Sequence, residues 1–162
     1  MLSAKSGARG SVLDKLRVAG SLKAVFPRPI GQALDVVMVN TAGGITGGDH
    51  FDLQAEAAAG TALTLTTQAA ERAYRAQQGS VGRLETHLRV GADARLHWLP
   101  QETILFNGSA LQRDLRVDIS GGSTFLLCEP LVFGRAAMGE VLDLAYFRDT
   151  IDIRRDGKRV FL

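Results

Sequence analysis

The stretch Leu84-Glu85-Thr86-His87-Leu88-Arg89-Val90-Gly91-Ala92-Asp93-Ala94-Arg95-Leu96-His97-Trp98 decides the fold class. Leu84, Thr86, Leu88 and Val90 alternate with Glu85, His87 and Arg89. Alternation at every second residue gives a strand one buried face and one wet face. Gly91 then marks a turn, and a new apolar run begins at Leu96. The same glycine-then-strand pattern recurs at Gly60-Thr61-Ala62-Leu63 and at Gly121-Gly122-Ser123-Thr124-Phe125, with a fainter copy at Gly108-Ser109-Ala110-Leu111. Leu115, Val117 and Ile119 alternate with Arg116 and Asp118. The expected fold class is all-β, with many short strands and at most one or two short helices. A sandwich, a barrel and a solenoid-like stack all fit this spacing.

Outward from that stretch, Val12 to Val25 reads as one or two strands broken at Gly20, and residues 1–11 read as frayed. Phe26-Pro27-Arg28-Pro29 is an extended connector, because two prolines so close forbid a helix interior or central strand. Asp35 to Asn40 holds Val36, Val37, Met38 and Val39, a strand buried on both faces. Asn107-Gly108 and Asp156-Gly157 are two-residue hairpin signals. Gln68 to Gln78 reads as the one helix, capped by Thr67, with Glu71 and Arg75 paired one turn apart.

The 162 residues suit a single domain able to bury a core. Net charge is only +2 and the arginines are scattered, which argues against a nucleic-acid partner. The lone cysteine, Cys128, excludes an internal disulfide and reads as a buried thiol after Phe125, Leu126 and Leu127. No run of about 20 apolar residues and no signal peptide is visible, so a cytoplasmic protein without a membrane role is expected.

The glycine loop Gly43-Gly44-Ile45-Thr46-Gly47-Gly48-Asp49 is not a phosphate cradle. Asp49 and His50 stand where a P-loop needs lysine and a hydroxyl, and the dinucleotide spacing is absent. It reads as a loop where backbone geometry or close packing excludes side chains. Neither a Gly-x-Ser-x-Gly elbow nor a paired Cys/His zinc spacing occurs. His50, His87 and His97 offer no evident catalytic partner. An enzyme using Glu102 or Glu140 as general acid or base would need a second carboxylate across a cleft. Borderline metals accept imidazole and carboxylate, so Asp49, His50 and Glu140 are the candidates for transient metal contact. Asp49 and His50 could share an ion only in a loop, since neighbours on a strand face opposite ways. Trp98 to Phe106 reads as core, with a partner-facing stretch as the alternative, and Gln101 and Glu102 need partners if buried.

Four segments together resemble the UreD (UreH) family of urease accessory proteins, N-terminal portion. They are Asn40 to Asp49, Thr66-Thr67-Gln68 to Tyr74-Arg75, Trp98-Leu99-Pro100-Gln101-Glu102 to Phe106, and Phe133-Gly134-Arg135 to Gly139-Glu140. The resemblance implies a mainly β fold of many short strands in stacked, helically wound sheets, serving as a non-enzymatic scaffold or metallochaperone for nickel incorporation into apo-urease. It implies urease apoprotein subunits, UreF and UreG as partners, and nickel held only in transit. Carried over by motif, Asp49 and Glu140 lie along a metal path. Tyr74, Arg75, Gln101, Glu102 and Arg135 serve internal polar structure or partner contact. His50 stands where the family often has arginine. The family's C-terminal part is expected to be missing from residues 1–162. The alternative is a β-rich protein-binding module with no metal role.

Overall fold

The computed structural model describes all of residues 1–162. It is a β-solenoid of four stacked coils, each contributing strands to three sheets. The first coil holds β4 (Leu34–Asn40) and β5 (His50–Ala57), with Ile45 bridging to the third sheet between them. The second holds β6 (Ala62–Thr67), β7 (Glu71–Ala73) and β8 (Gly82–Val90). The third holds β9 (Arg95–Leu99), β10 (Thr103–Leu105) and β11 (Ala110–Ile119). The fourth holds β12 (Thr124–Leu127), β13 (Leu131–Phe133) and β14 (Tyr146–Arg155). Every coil-to-coil pairing is parallel. The N-terminal end is closed by β1 (Leu2–Gly7), β2 (Gly10–Leu16) and β3 (Leu22–Val25), and β15 (Lys158–Phe161) lies antiparallel beside β14.

Stacked registers explain the repeated sequence pattern. Val36, Leu65, Trp98 and Leu127 form one ladder across the coils, and Ala55, Leu88, Val117 and Ile153 another. Their facing side chains fill the solenoid's main core. A smaller cluster of Ile45, Phe51, Ala73, Leu105 and Leu111 sits behind the third sheet. Each fully buried leucine contributes roughly 2 kcal/mol. The Asp156-Gly157 hairpin forms as read, with both residues at positive φ. No helix is long and apolar enough to cross a membrane.

Five readings are corrected. Residues 1–11 are ordered strand: Leu2 and Ala4 are 2% and 0% exposed, and β1 pairs with β5. The short buried run is hard to see in the sequence because polar Ser3, itself buried, separates Leu2 from Ala4 and Lys5, Ser6 and Gly7 follow. The helix at Gln68–Gln78 is absent, and a 3-10 turn at Ala136–Met138 is the only helical element. The backbone of Glu71 to Ala73 is taken by β10, which lets Ala73 face inward beside Leu105. Glu71 accordingly bonds Asn40 and not Arg75. Asn107-Gly108 is a corner between sheets, not a hairpin, because β10 and β11 pair with other coils. In β4 only Val36 and Met38 are buried; Val37 and Val39 are half-buried. Cys128 is exposed, since Phe125 and Leu127 take the inward positions of that alternation.

Candidate functional site

The solenoid interior carries charge among its apolar ladders. Leu111, Arg113 and Leu115 occupy successive inward positions of β11, so Arg113 enters the core and is 5% exposed. Its guanidinium bonds both oxygens of Asp149, its register neighbour on β14. It also donates to Thr103 Oγ1 at 3.2 Å and lies 3.6 Å from Glu129 Oε2. Glu129 Oε1 accepts from Trp98 Nε1 at 2.7 Å, while Oε2 is buried with no hydrogen-bond partner. Asp149 meets Arg113 from an exposed position on β14, so Glu129 and Glu71 are the carboxylates set further inside. Burial pushes the Glu71 carboxyl above the usual range, against the opposing bonds from Asn40 and the Arg72 amide.

These groups line neighbouring spaces that share wall residues. Glu71, Glu129 and Arg113 border an interior cavity of about 60 Å³. Glu71 and Thr67 also border a second cavity of about 190 Å³. An open cleft of about 600 Å³ holds Asp49, His50 and Asp52. Leu22 and Met38 line all three.

The residues singled out from the sequence fall in two places. Asp49 and His50 share the open cleft. Asp49 Oδ2 accepts from the Thr46 amide at 2.8 Å, pinning the glycine loop, and His50 Nε2 lies 3.4 Å from Glu85. Glu140 lies elsewhere, at the corner of the fourth coil. It accepts from Asn107 N, Arg135 N and the Arg135 guanidinium at 2.9–3.2 Å. That guanidinium lowers its pKa to about 2. Arg135 stacks 4.1 Å over Phe106, which meets Tyr74 edge-on at 5.0 Å. Tyr74 donates its hydroxyl to Gly43 O at 3.2 Å. Arg75 O accepts from Thr46 Oγ1 at 3.0 Å. The Gln101 amide is held by Thr67 Oγ1 at 2.9 Å, and Glu102 O accepts from the Glu71 amide at 2.9 Å. Gly44 and Gly47 are close-approach positions: a Cβ would lie 2.3 Å from Tyr74 Cε2 or 2.0 Å from Ser80 Oγ. No group of three or more His, Cys, Asp and Glu gathers in a metal-holding arrangement.

All of residues 1–162 match the family model described as UreD urease accessory protein. The chain belongs to the UreD family. A UreD of Roseobacter denitrificans is 53% identical over 163 residues, covering 99% of this chain and 59% of the relative. One from Ruegeria pomeroyi is 53% identical over 152 residues, covering 94% of this chain and 59% of its own. One from Ruegeria sp. is 54% identical over 163 residues, covering 99% and 54%. This chain thus spans 54–59% of the length of these relatives. Each is named as a urease accessory protein.

The four UreD-like segments occupy the same part of successive coils. Each passes through or beside the third sheet, so Gly43, Tyr74, Phe106 and Arg135 stack into one wall. Sequence reading missed Glu71, Arg113 and Glu129 as interior groups. Arg113 carried a usable signal, an arginine at an inward position between Leu111 and Leu115. Glu129 had none, because the unbroken apolar run Phe125 to Cys128 hides the alternation whose next inward position it takes.

Proposed function

We propose that this chain is a scaffold in urease maturation that guides Ni²⁺ toward the apo-urease metallocentre. It works in the cytoplasm with the urease apoprotein, UreF and UreG. The observation that carries the metal role is the line of carboxylates through spaces sharing Leu22 and Met38: Asp49 at the open cleft, Glu71 and Glu129 inside. Ni²⁺ accepts carboxylate and imidazole ligands. A path must bind its ion weakly at each step so that the ion can leave. Separated single carboxylates meet that need better than a closed ligand set.

Asp49 and His50 form the entrance in this reading. Burial disfavours the uncompensated carboxylate of Glu71, so a cation arriving there relieves it. Glu129 offers Oε2, which makes no hydrogen bond although it faces Arg113 at 3.6 Å. Arg113 balances Asp149 and keeps the interior from trapping a dication. Glu140, committed to Arg135 and Asn107, belongs to the frame. Tyr74, Arg75, Gln101, Glu102 and the glycine loop hold the walls. Guiding an ion makes and breaks no covalent bond, so in this reading the chain is an accessory protein and not an enzyme.

The test is nickel content and activity of urease in cells expressing the urease genes with this chain as the only UreD. Glu71→Gln with Glu129→Gln is expected to lower both by about tenfold, with the protein still folded and associated with urease. Normal loading by the folded double variant would instead leave a docking module with no metal role.

A further inference from the structure

Charge is unevenly divided along the chain. Residues 1–30 carry six Lys and Arg against one acid, a net +5, while residues 31–162 carry thirteen against sixteen, a net −3. The basic segment builds the N-terminal end of the solenoid, through β1, β2 and β3. The one acid, Asp14, is neutralised by Lys5 at 3.1 Å. Arg9, Lys15, Arg17 and Arg28 remain exposed. Among them stand exposed Val12, Leu16, Val25 and Ile30.

This end also has an open strand edge, since β2 is the last strand of its sheet. Ser11 donates its amide to Gln32 O at 2.7 Å, so the open run is Val12 to Leu16. A lysine on an edge strand can simply discourage aggregation. Here the same strand also exposes Val12 and Leu16, which a purely protective edge would not display.

We infer that β2 is a docking edge for an extended acidic segment of a partner protein, added as a further strand. Backbone pairing would supply affinity, and Lys15, Arg17 and Arg9 would select carboxylates. A nucleic acid would satisfy the cations but leave the strand's amides and carbonyls unpaired. A lipid surface would leave those backbone groups unpaired in an apolar medium. A polypeptide strand satisfies both.

The probe is a short labelled peptide of alternating Glu and Val, compared with its Lys–Val counterpart, a single-stranded oligonucleotide and phosphatidylserine vesicles. The Glu–Val peptide is expected to bind the full chain and slow amide exchange at Val12 to Leu16. Lys15→Glu with Arg17→Glu is expected to weaken binding by about tenfold or more. Lys158→Glu with Arg159→Glu, on the opposite end strand, is expected to change it less than about twofold. Absence of Glu–Val binding, equal binding of the Lys–Val peptide, or protection away from β2 would overturn the inference. So would oligonucleotide or vesicle binding that the Lys15/Arg17 variant abolishes while peptide binding persists.

Discussion

Trp98 and Glu129, 31 residues apart in sequence, are joined by a 2.7 Å hydrogen bond inside the solenoid. The separation is that of one coil. Asn40 and Glu71, and His87 and Asp118, are bonded across the same interval. The coils are thus locked by side chains as well as by parallel backbone ladders. In the Trp98–Glu129 case the lock is also what aims a carboxylate at Arg113.

Removing the buried cation should cost more than removing the indole donor. Arg113→Met leaves Asp149 and Glu129 without their positive neighbour, at a cost of about 3–5 kcal/mol. Trp98→Phe removes one donor and leaves a smaller void, at about 1–3 kcal/mol. Urea denaturation of both variants checks the order. A smaller loss for Arg113→Met would mean that the interior charges are better hydrated than their burial implies.

Glu71 predicts an unusual pH dependence. Its folded pKa is raised above the ordinary 4.5 by burial. The folded state therefore binds this proton more tightly than the unfolded state, and stability falls as pH rises from 4.5 through the raised value. Glu71→Gln keeps a neutral side chain at every pH. It should match wild type under acid and exceed it in stability at neutral pH. Thermal melts across pH 4 to 8 would refute this if Glu71→Gln were the less stable protein at neutral pH.

Glu140 should behave in the opposite sense. Arg135 depresses its pKa to about 2, so its contribution is complete above 4.5 and lost as pH falls toward 2. The corner held by Asn107 and Arg135 should loosen over that window, seen as faster amide exchange at both residues. In Glu140→Gln the exchange should already be faster at neutral pH and vary less with acid.

The two neighbouring glycines of the loop should differ in cost. Gly43 has φ +79 with open space around it, so Gly43→Ala pays mainly backbone strain of about 1 kcal/mol. At Gly44 a methyl would meet Tyr74 Cε2 at 2.3 Å and Arg72 O at 2.6 Å. Gly44→Ala should therefore cost about 2–3 kcal/mol. Equal melting temperatures for the two variants would show that Tyr74 moves aside freely.

The all-β class was readable because inward residues such as Leu88 and Val117 alternate with charged ones, and that contrast survives in a linear chain. The solenoid itself was only one of three readings, since alternation records which face is buried and not which strand lies beside it. Gln68 to Gln78 looked helical because alanines and a Glu–Arg pair favour a helix locally, whereas pairing with β10 commits its backbone to a sheet. The Asp156-Gly157 hairpin was legible because its partners are adjacent in sequence. Asn107-Gly108 misled because its flanking strands find partners in other coils. Asp49 and His50 were found together in one cleft, but Glu71 and Glu129 became interior groups only through stacking.

In the proposed reading, nickel travels along the interior carboxylates. Anomalous diffraction at the nickel absorption edge, from crystals soaked in Ni²⁺, tests it most directly. Anomalous density is expected within the interior cavity, against Glu71 or Glu129, and is expected to disappear in Glu71→Gln with Glu129→Gln. Nickel found only on surface histidines, with the interior empty in the wild-type protein, would contradict that reading.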